Sequence, residues 1–99
     1  MAMNSAYPYY LANQAVFANE DLTVLDKHTG EIATRVAQAD DAVVDQAVAA
    51  AEQAAKPMAE LPTHRRRDVL NHCADRFAER FEELAEILIV EGGKVITDA

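Results

Sequence analysis

The chain has 99 residues, a formal charge of −8 at pH 7 and a single cysteine. An acidic chain does not neutralise phosphates, so nucleic acids and anionic membrane surfaces are disfavoured as partners. One cysteine excludes an intrachain disulfide framework and favours a reducing, cytoplasmic location. No run of about 18 apolar residues is present to span a membrane, and the first residues lack the features of a signal peptide.

The chain has many hydrophobic residues, but a large share of them have small side chains. Hydrophobic residues make up 51% of the chain, yet about twenty of them are alanines and tryptophan is absent. Burial contributes roughly 25 cal/mol per Å² of apolar surface, so an alanine-rich core offsets chain entropy poorly. The composition therefore predicts a segment of a larger fold rather than a self-sufficient domain.

Two regions precede the helical part of the chain. Residues 1–20 are predicted to form an extended N-terminal arm with a short strand over 9–12, and three tyrosines give this arm a contact surface. Residues 21–37 predict a β-hairpin, because two β-prone runs are joined by a short segment that ends in Gly30. A glycine at that point suits a positive φ. A two-stranded ribbon is marginal in water, so it needs a partner surface.

Residues 40–99 predict helices. The first begins at Asp40 or Asp41 and should end at Pro57, because the residue before a proline disfavours the helical region. Its apolar stripe consists of Val44, Ala47, Val48, Ala51 and Ala55.

A second helical run should start with Thr63 as its N-cap and stop at Gly92–Gly93. Its apolar positions fit either one bent helix or two helices with a break near Glu82. Residues 94–99 predict the start of a further element.

Cys73 beside His72 is the first candidate for chemistry. Neighbouring helical residues point about 100° apart, so the pair does not form a nucleophile and its base. Cys73 lies on the apolar stripe and is predicted to be a buried structural thiol. With His28 and His64 added, the spacing still lacks a second cysteine or an HExxH pattern, so no metal site is predicted.

The remaining candidates also have structural interpretations. Arg65, Arg66 and Arg67 lie in a first helical turn, where cations are unfavourable, so at least one should have a specific partner; we expect a salt bridge to protein outside this segment. The Gly92-Gly93-Lys94 sequence lacks the phosphate-loop spacing. The carboxylates lie on the solvated side of the last helical run: Glu79, Glu82, Glu83 and Glu86. We therefore assign no catalytic, cofactor-binding or metal-binding residue.

The order of these pieces resembles the N-terminal region of the aldehyde dehydrogenase superfamily, from about Tyr9 to Ala99. Thr29-Gly30-Glu31 resembles the centre of the family's "P-x-T-G-E-hydrophobic" hairpin. The run from Val44 to Ala51 is similar to its "D-V-D-x-A-V-x-A-A" helix, and Arg66 to Phe77 to its "R-x-x-x-L-x-x-x-A-D-x-hydrophobic" helix. Glu82-Glu83-Leu84-Ala85 and Glu91-Gly92-Gly93-Lys94 match "E-E-L-A" and "E-x-G-K-P", although Val95 stands where the family has proline.

The resemblance implies an α/β fold with a Rossmann-type cofactor domain, of which this chain is an arm, a hairpin and two to three helices. It implies an enzyme that oxidises a small aldehyde to a carboxylic acid with NAD or NADP, through a cysteine thiohemiacetal, and that assembles as a homo-oligomer. The catalytic residues and the cofactor loop of such enzymes match no position in this chain. The segment's partner would be the remainder of the dehydrogenase fold.

Two hypotheses follow from the sequence. In the first, the chain is an N-terminal fragment of an aldehyde dehydrogenase and is inactive alone. In the second, it is a free-standing helical interaction module that self-associates or docks on intact dehydrogenase subunits. The first predicts weak stability of the isolated chain, and the second predicts cooperative unfolding with a defined oligomer.

Overall fold

A computed structural model describes residues 3–99 as five short strands followed by three helices. The strands are β1 (Ala6–Tyr7), β2 (Tyr9–Leu11), β3 (Gln14–Val16), β4 (Leu22–Leu25) and β5 (Ile32–Val36). The helices are α1 (Asp41–Glu60), α2 (Thr63–Glu79) and α3 (Phe81–Gly92). The expected combination of a hairpin with two to three helices is confirmed, with three helices.

The predicted hairpin forms the larger sheet. Strands β4 and β5 pair antiparallel, and the turn between them holds Gly30 at φ 75°, as the sequence predicts. Strand β1 adds to the other side of β5 in parallel, with Ala6 opposite Arg35. The hydroxyl of Thr34 donates to the carbonyl of Asn4 at 2.7 Å, and Thr34 is only 3% exposed. Residues 4–7 are therefore attached to the hairpin by backbone and side-chain hydrogen bonds.

Residues 6–16 contain more structure than the single short strand predicted there. Strands β2 and β3 form a second hairpin whose two turn residues, Ala12 and Asn13, have φ values of 48° and 65°. Two consecutive positive φ angles in a two-residue loop are typical of a type I′ turn. Asparagine tolerates this region well and alanine does not, so the sequence signal for the turn is weak.

Helix α1 begins where an acidic N-cap predicts it. Asp40 is the N-cap, and its Oδ1 accepts a hydrogen bond from the N–H of Val43 at 2.9 Å. The prediction that Pro57 ends the helix is wrong, because α1 continues to Glu60 with the proline in its last turn. Every residue from 51 to 60 is exposed. The carbonyl group that loses its partner to the proline ring can therefore bind water, and only one helical hydrogen bond is lost.

The second helical run is two helices. They meet at Arg80, whose φ of −102° and ψ of 17° depart from helical values, two residues before the predicted break. The N-cap of α2 is Pro62, not Thr63, and no side chain caps this end. Gly93 ends α3 in the left-handed conformation with φ 68°, as predicted. Residues beyond it form a turn, in which Asp98 donates to the carbonyl of Val95.

Little of this architecture is buried. Among the described residues only Thr34 and Ala37, at 3% and 5% exposure, are buried. The radius of gyration is 16.9 Å, against about 13 Å for a compact domain of 100 residues. Helix α1 lies against β2 and α3 against β4. The apolar side chains thus form faces at the surface rather than one core.

Candidate interface and functional residues

One apolar face of the surface lies on α1. Val44, Ala47, Val48 and Ala51 lie beside the β2–β3 hairpin and line an open groove with Tyr9 and Leu11. Val44 and Val48 are both more than half exposed. Alanines in such a stripe allow close approach of another backbone, so the groove has the composition of a packing surface rather than of a catalytic pocket.

A second apolar face lies on α2, in which every residue is exposed. Leu70, Cys73 and Phe77 recur at spacings of three and four residues and therefore lie on one side of the helix. We call these three residues the α2 stripe. Leu70 is 68% exposed and Phe77 is 67% exposed. Large apolar side chains aligned on one face and left in water mark a contact surface.

Cys73 is exposed, so the prediction of a buried thiol is wrong for the described residues. It lines an open groove together with His72, Phe77 and Leu84. No hydrogen bond joins Cys73 to His72 within residues 3–99. The sequence places Cys73 on the apolar face of α2, as the structure does, but no described residue covers that face.

Arg66 has a specific partner, which the sequence predicts for at least one of the three arginines. Its guanidinium donates to the carbonyls of Met58 and Ala59 at 2.9 Å, and to that of Leu61 at 3.1 Å. These carbonyls lie at the C-terminal end of α1, where helical acceptors lack intrahelical donors. Within the segment Arg66 fixes the corner between α1 and α2, and the expected salt bridge of the arginine cluster to protein outside the segment stays a prediction.

Two carboxylates of the last two helices, Glu79 and Glu83, form ion pairs with arginines three residues before them. Arg76 binds Glu79 at 2.5 Å, and Arg80 binds Glu83 through two hydrogen bonds of 2.6 and 2.8 Å. The bidentate guanidinium of Arg80 lowers the pKa of Glu83, and the same hydrogen bonds raise the pKa of Arg80. These pairs stabilise the junction of α2 and α3 and show none of the features of an acid and base couple.

The residues considered for a metal or a phosphate site do not form such a site in the described part of the chain. Among residues 3–99, no group of three or more histidine, cysteine, aspartate or glutamate side chains is placed to hold a metal ion. Gly92 and Gly93 close the C-terminal end of α3, where free carbonyls and the negative end of the helix dipole face outward. A pyrophosphate needs N–H groups at a helix N-terminus. The glycines therefore do not fit a dinucleotide cofactor, and we assign no cofactor chemistry to the described residues.

None of the helices in the described part of the chain is both long enough and apolar enough to cross a membrane.

Comparison with known proteins accounts for this arrangement of hairpin, helices and exposed faces. The model of the aldehyde dehydrogenase family matches residues 15–99. A 3-sulfolactaldehyde dehydrogenase from Priestia megaterium is 34% identical over 93 residues, which cover 94% of this chain and 19% of that protein. Malonate-semialdehyde dehydrogenase 2 from Geobacillus thermodenitrificans is 37% identical over 71 residues, covering 72% of this chain and 15% of that protein.

A solved structure shows the same fold. Aldehyde dehydrogenase 21 from Physcomitrella patens, in complex with the reaction product succinate, matches 98% of this chain with a TM-score of 0.92 and 35% identity. The match covers 20% of that chain. The chain belongs to the aldehyde dehydrogenase family, and it spans a fifth or less of the length of the relatives named here.

Proposed function

We propose that residues 1–99 are the N-terminal structural segment of an aldehyde dehydrogenase, which oxidises an aldehyde to a carboxylic acid with NAD or NADP through a cysteine thiohemiacetal. The segment contributes packing surfaces and no catalytic residue. In this proposal residues 1–20 are an extended arm, residues 21–37 are a hairpin, and residues 40–99 are the helical part of the edge of the cofactor domain. A homo-oligomeric assembly and a cytoplasmic location belong to the same proposal, the latter resting on the single cysteine.

The observation that carries the proposal is the match of 98% of the chain to one fifth of a dehydrogenase structure. The exposed apolar faces of α1 and α2 support the proposal. A segment that packs against the rest of a fold has exposed apolar surface when that remainder is absent. The relatives are named for 3-sulfolactaldehyde and malonate semialdehyde, which are small, and we propose a small aldehyde for this protein as well.

A chimera tests the structural role. Residues 1–99 replace the matched segment of the Priestia megaterium enzyme, and oxidation of 3-sulfolactaldehyde is measured. We expect the chimera to keep kcat/KM within about tenfold of the parent enzyme, a change of at most ~1.4 kcal/mol in transition-state stabilisation. The matched control lacks the segment altogether and should be inactive. A chimera that is folded but has lost activity or acquired a different aldehyde preference would count against a purely structural segment.

The isolated chain distinguishes this proposal from the free-standing interaction module. We expect the 99-residue chain to show no aldehyde oxidation, no binding of NAD or NADP, and a broad thermal transition by circular dichroism. A sharp, concentration-dependent transition with a defined oligomer in sedimentation would instead favour the interaction module. The two measurements are independent, since activity reports chemistry and the melt reports self-sufficient packing.

A further inference from the structure

Residues 3–7 lie along the edge of β5, and we call them the 3–7 strap. Strand β1 pairs only two residues with β5, in parallel. The carbonyl of Ser5 accepts a hydrogen bond from the N–H of Arg35 at 3.2 Å. The carbonyl of Tyr7 accepts one from the N–H of Ala37 at 2.9 Å. No residue of the strap is buried. A short ladder with accessible hydrogen bonds is typical of a segment that opens locally, at a lower free energy than global unfolding.

The strap is bonded to the most buried residues of the segment. Thr34 and Ala37 are the buried residues among those described, and each donates a hydrogen bond to the strap. The hydroxyl of Thr34 donates to the carbonyl of Asn4 at 2.7 Å, and its other acceptor, the carbonyl of Arg35, lies at 3.4 Å. Loss of the shorter bond leaves a buried hydroxyl poorly satisfied, which is unfavourable. The closed position of the strap is therefore the stable one.

Side chains of the strap also lie between the hairpin and α3. Met3 and Tyr7 line a cavity together with Val36 of β5 and Ile87 of α3. Opening of the strap therefore removes one wall of the contact between the sheet and this helix. The strands that follow Pro8 belong to a separate two-stranded sheet, so the strap can leave the three-stranded sheet without disrupting the other one.

We propose that the 3–7 strap is a latch that opens as a unit while the rest of the segment stays folded, and that its closure holds α3 against the hairpin. This motion goes beyond the proposed function, which requires only packing. The hydrogen bond from the N–H of Lys27 to the carbonyl of Val90 joins the hairpin turn to α3. The amide of Lys27 therefore reports whether the helix stays in place when the strap opens.

Hydrogen–deuterium exchange of the folded chimera, resolved to single amides by mass spectrometry, tests the proposal. Arg35 and Ala37 provide the two strap amides, because their N–H groups donate to the strap. Thr34 and Val36 are the internal control, since N–H groups alternate between the two edges of a strand and theirs point towards β4. After correction for intrinsic rates, we expect the strap amides to exchange about tenfold faster than the control amides. Urea below the unfolding transition should not change their rate, because local opening exposes little surface.

Substitution of Thr34 tests the closing hydrogen bond. Thr34→Val removes the hydroxyl that donates to Asn4 and keeps the shape of the side chain. We expect exchange of the strap amides and of the Lys27 amide to rise about fivefold. Thr34→Ser keeps the donor and should stay close to the parent. Thr23→Val is the matched control on β4, because the hydroxyl of Thr23 forms no hydrogen bond among residues 3–99, and it should leave these rates unchanged.

The outcomes separate the latch from the proposed function. Exchange of the strap amides that rises with urea as steeply as that of Thr34 and Val36 overturns the latch. Faster strap amides in Thr34→Val without a change at Lys27 overturn the coupling to α3. Either result in an active chimera leaves the proposed function standing, whereas a folded but inactive chimera contradicts that function and the exchange pattern still decides the latch. If Thr34→Val does not fold, Tyr7→Phe removes the oxygen that accepts from the N–H of Asn4 at 3.0 Å. Unchanged strap amides in that variant contradict the proposal.

Discussion

The backbone N–H of Lys27, in the turn between β4 and β5, donates a 3.0 Å hydrogen bond to the carbonyl of Val90 near the end of α3. The two residues are far apart in the chain, so this bond joins the hairpin turn to the last helix. Gly93 completes the contact, because a Cβ at that position would lie 3.2 Å from the Cβ of Lys27. The helix end and the hairpin turn therefore constrain each other.

Replacing Gly93 should disrupt this contact. Gly93→Ala introduces a side chain at φ 68° and crowds Lys27, and the left-handed conformation alone costs about 1–2 kcal/mol. We expect a lower thermal midpoint of the chimera by differential scanning calorimetry. Gly92→Ala is the matched control, because Gly92 is helical and open to solvent, and alanine there should be neutral or slightly stabilising. Equal effects of the two substitutions would contradict the proposed contact.

Arg66 should stabilise the α1–α2 corner. Arg66→Ala leaves three carbonyls at the end of α1 without their charged donor, and because the site is exposed we expect a loss of about 1 kcal/mol in unfolding free energy of the chimera. Arg66→Lys should recover only part of it, since an ammonium does not reproduce the planar set of donors.

Arg67→Ala is the control for the same charge change one residue away. Arg67 makes only a 3.9 Å contact with its exposed neighbour Asp68, so little stability depends on it. Urea unfolding of the three variants provides the comparison. A loss in Arg67→Ala as large as in Arg66→Ala would show that the general charge of the region, and not the corner, is responsible.

Replacing Ala12 by glycine should stabilise the β2–β3 hairpin. At φ 48° an alanine is strained, so Ala12→Gly should stabilise the β2–β3 hairpin by up to about 1 kcal/mol. The same substitution at Ala15, which pairs with Tyr10 in the strand ladder, should destabilise it by about 0.5–1 kcal/mol. Opposite shifts in thermal midpoint test the turn geometry, and a shared sign would contradict it.

The Arg80–Glu83 pair should make the thermal stability of the protein depend on pH. The pKa of Glu83 is lowered from its ordinary value of 4.5, so the pair contributes above that value and its contribution is lost as the pH falls through the lower pKa of the folded state. The raised pKa of Arg80 adds no titration in this range, since that side chain stays charged. The difference in thermal midpoint between Glu83→Gln and the parent should therefore be largest near neutral pH and shrink below pH 4.5.

Two controls accompany this measurement. Glu82→Gln changes the same charge at a position for which the described residues show no ion pair, so its effect should vary less with pH. High salt should reduce the Glu83 difference, because both partners are accessible to solvent and screening weakens exposed pairs. A Glu83 difference that is independent of pH would indicate an effect of helix propensity alone.

Local patterns predicted the parts of this fold that depend on neighbouring residues. The hairpin, its glycine turn, the acidic cap of α1 at Asp40 and the glycine stop at Gly93 follow from dihedral preferences and capping, which act within a few residues. The absence of catalytic motifs and the family resemblance also came from sequence order. The predicted helix end at Pro57 is wrong because residues 51–60 are exposed, so the carbonyl that lacks its helical donor can bind water.

Other features depend on contacts between distant residues. The parallel pairing of Ala6 with Arg35, the contact of Lys27 with Val90 and the reach of Arg66 across the corner have no local signature. The periodicity identified the α2 stripe as apolar but not as exposed, because burial depends on what lies opposite a face. The sequence by itself determined the main hairpin, the helices and their apolar faces, but not β1 or the β2–β3 hairpin. Only the tertiary structure decided which faces meet one another, since backbone and guanidinium hydrogen bonds between distant residues set those positions.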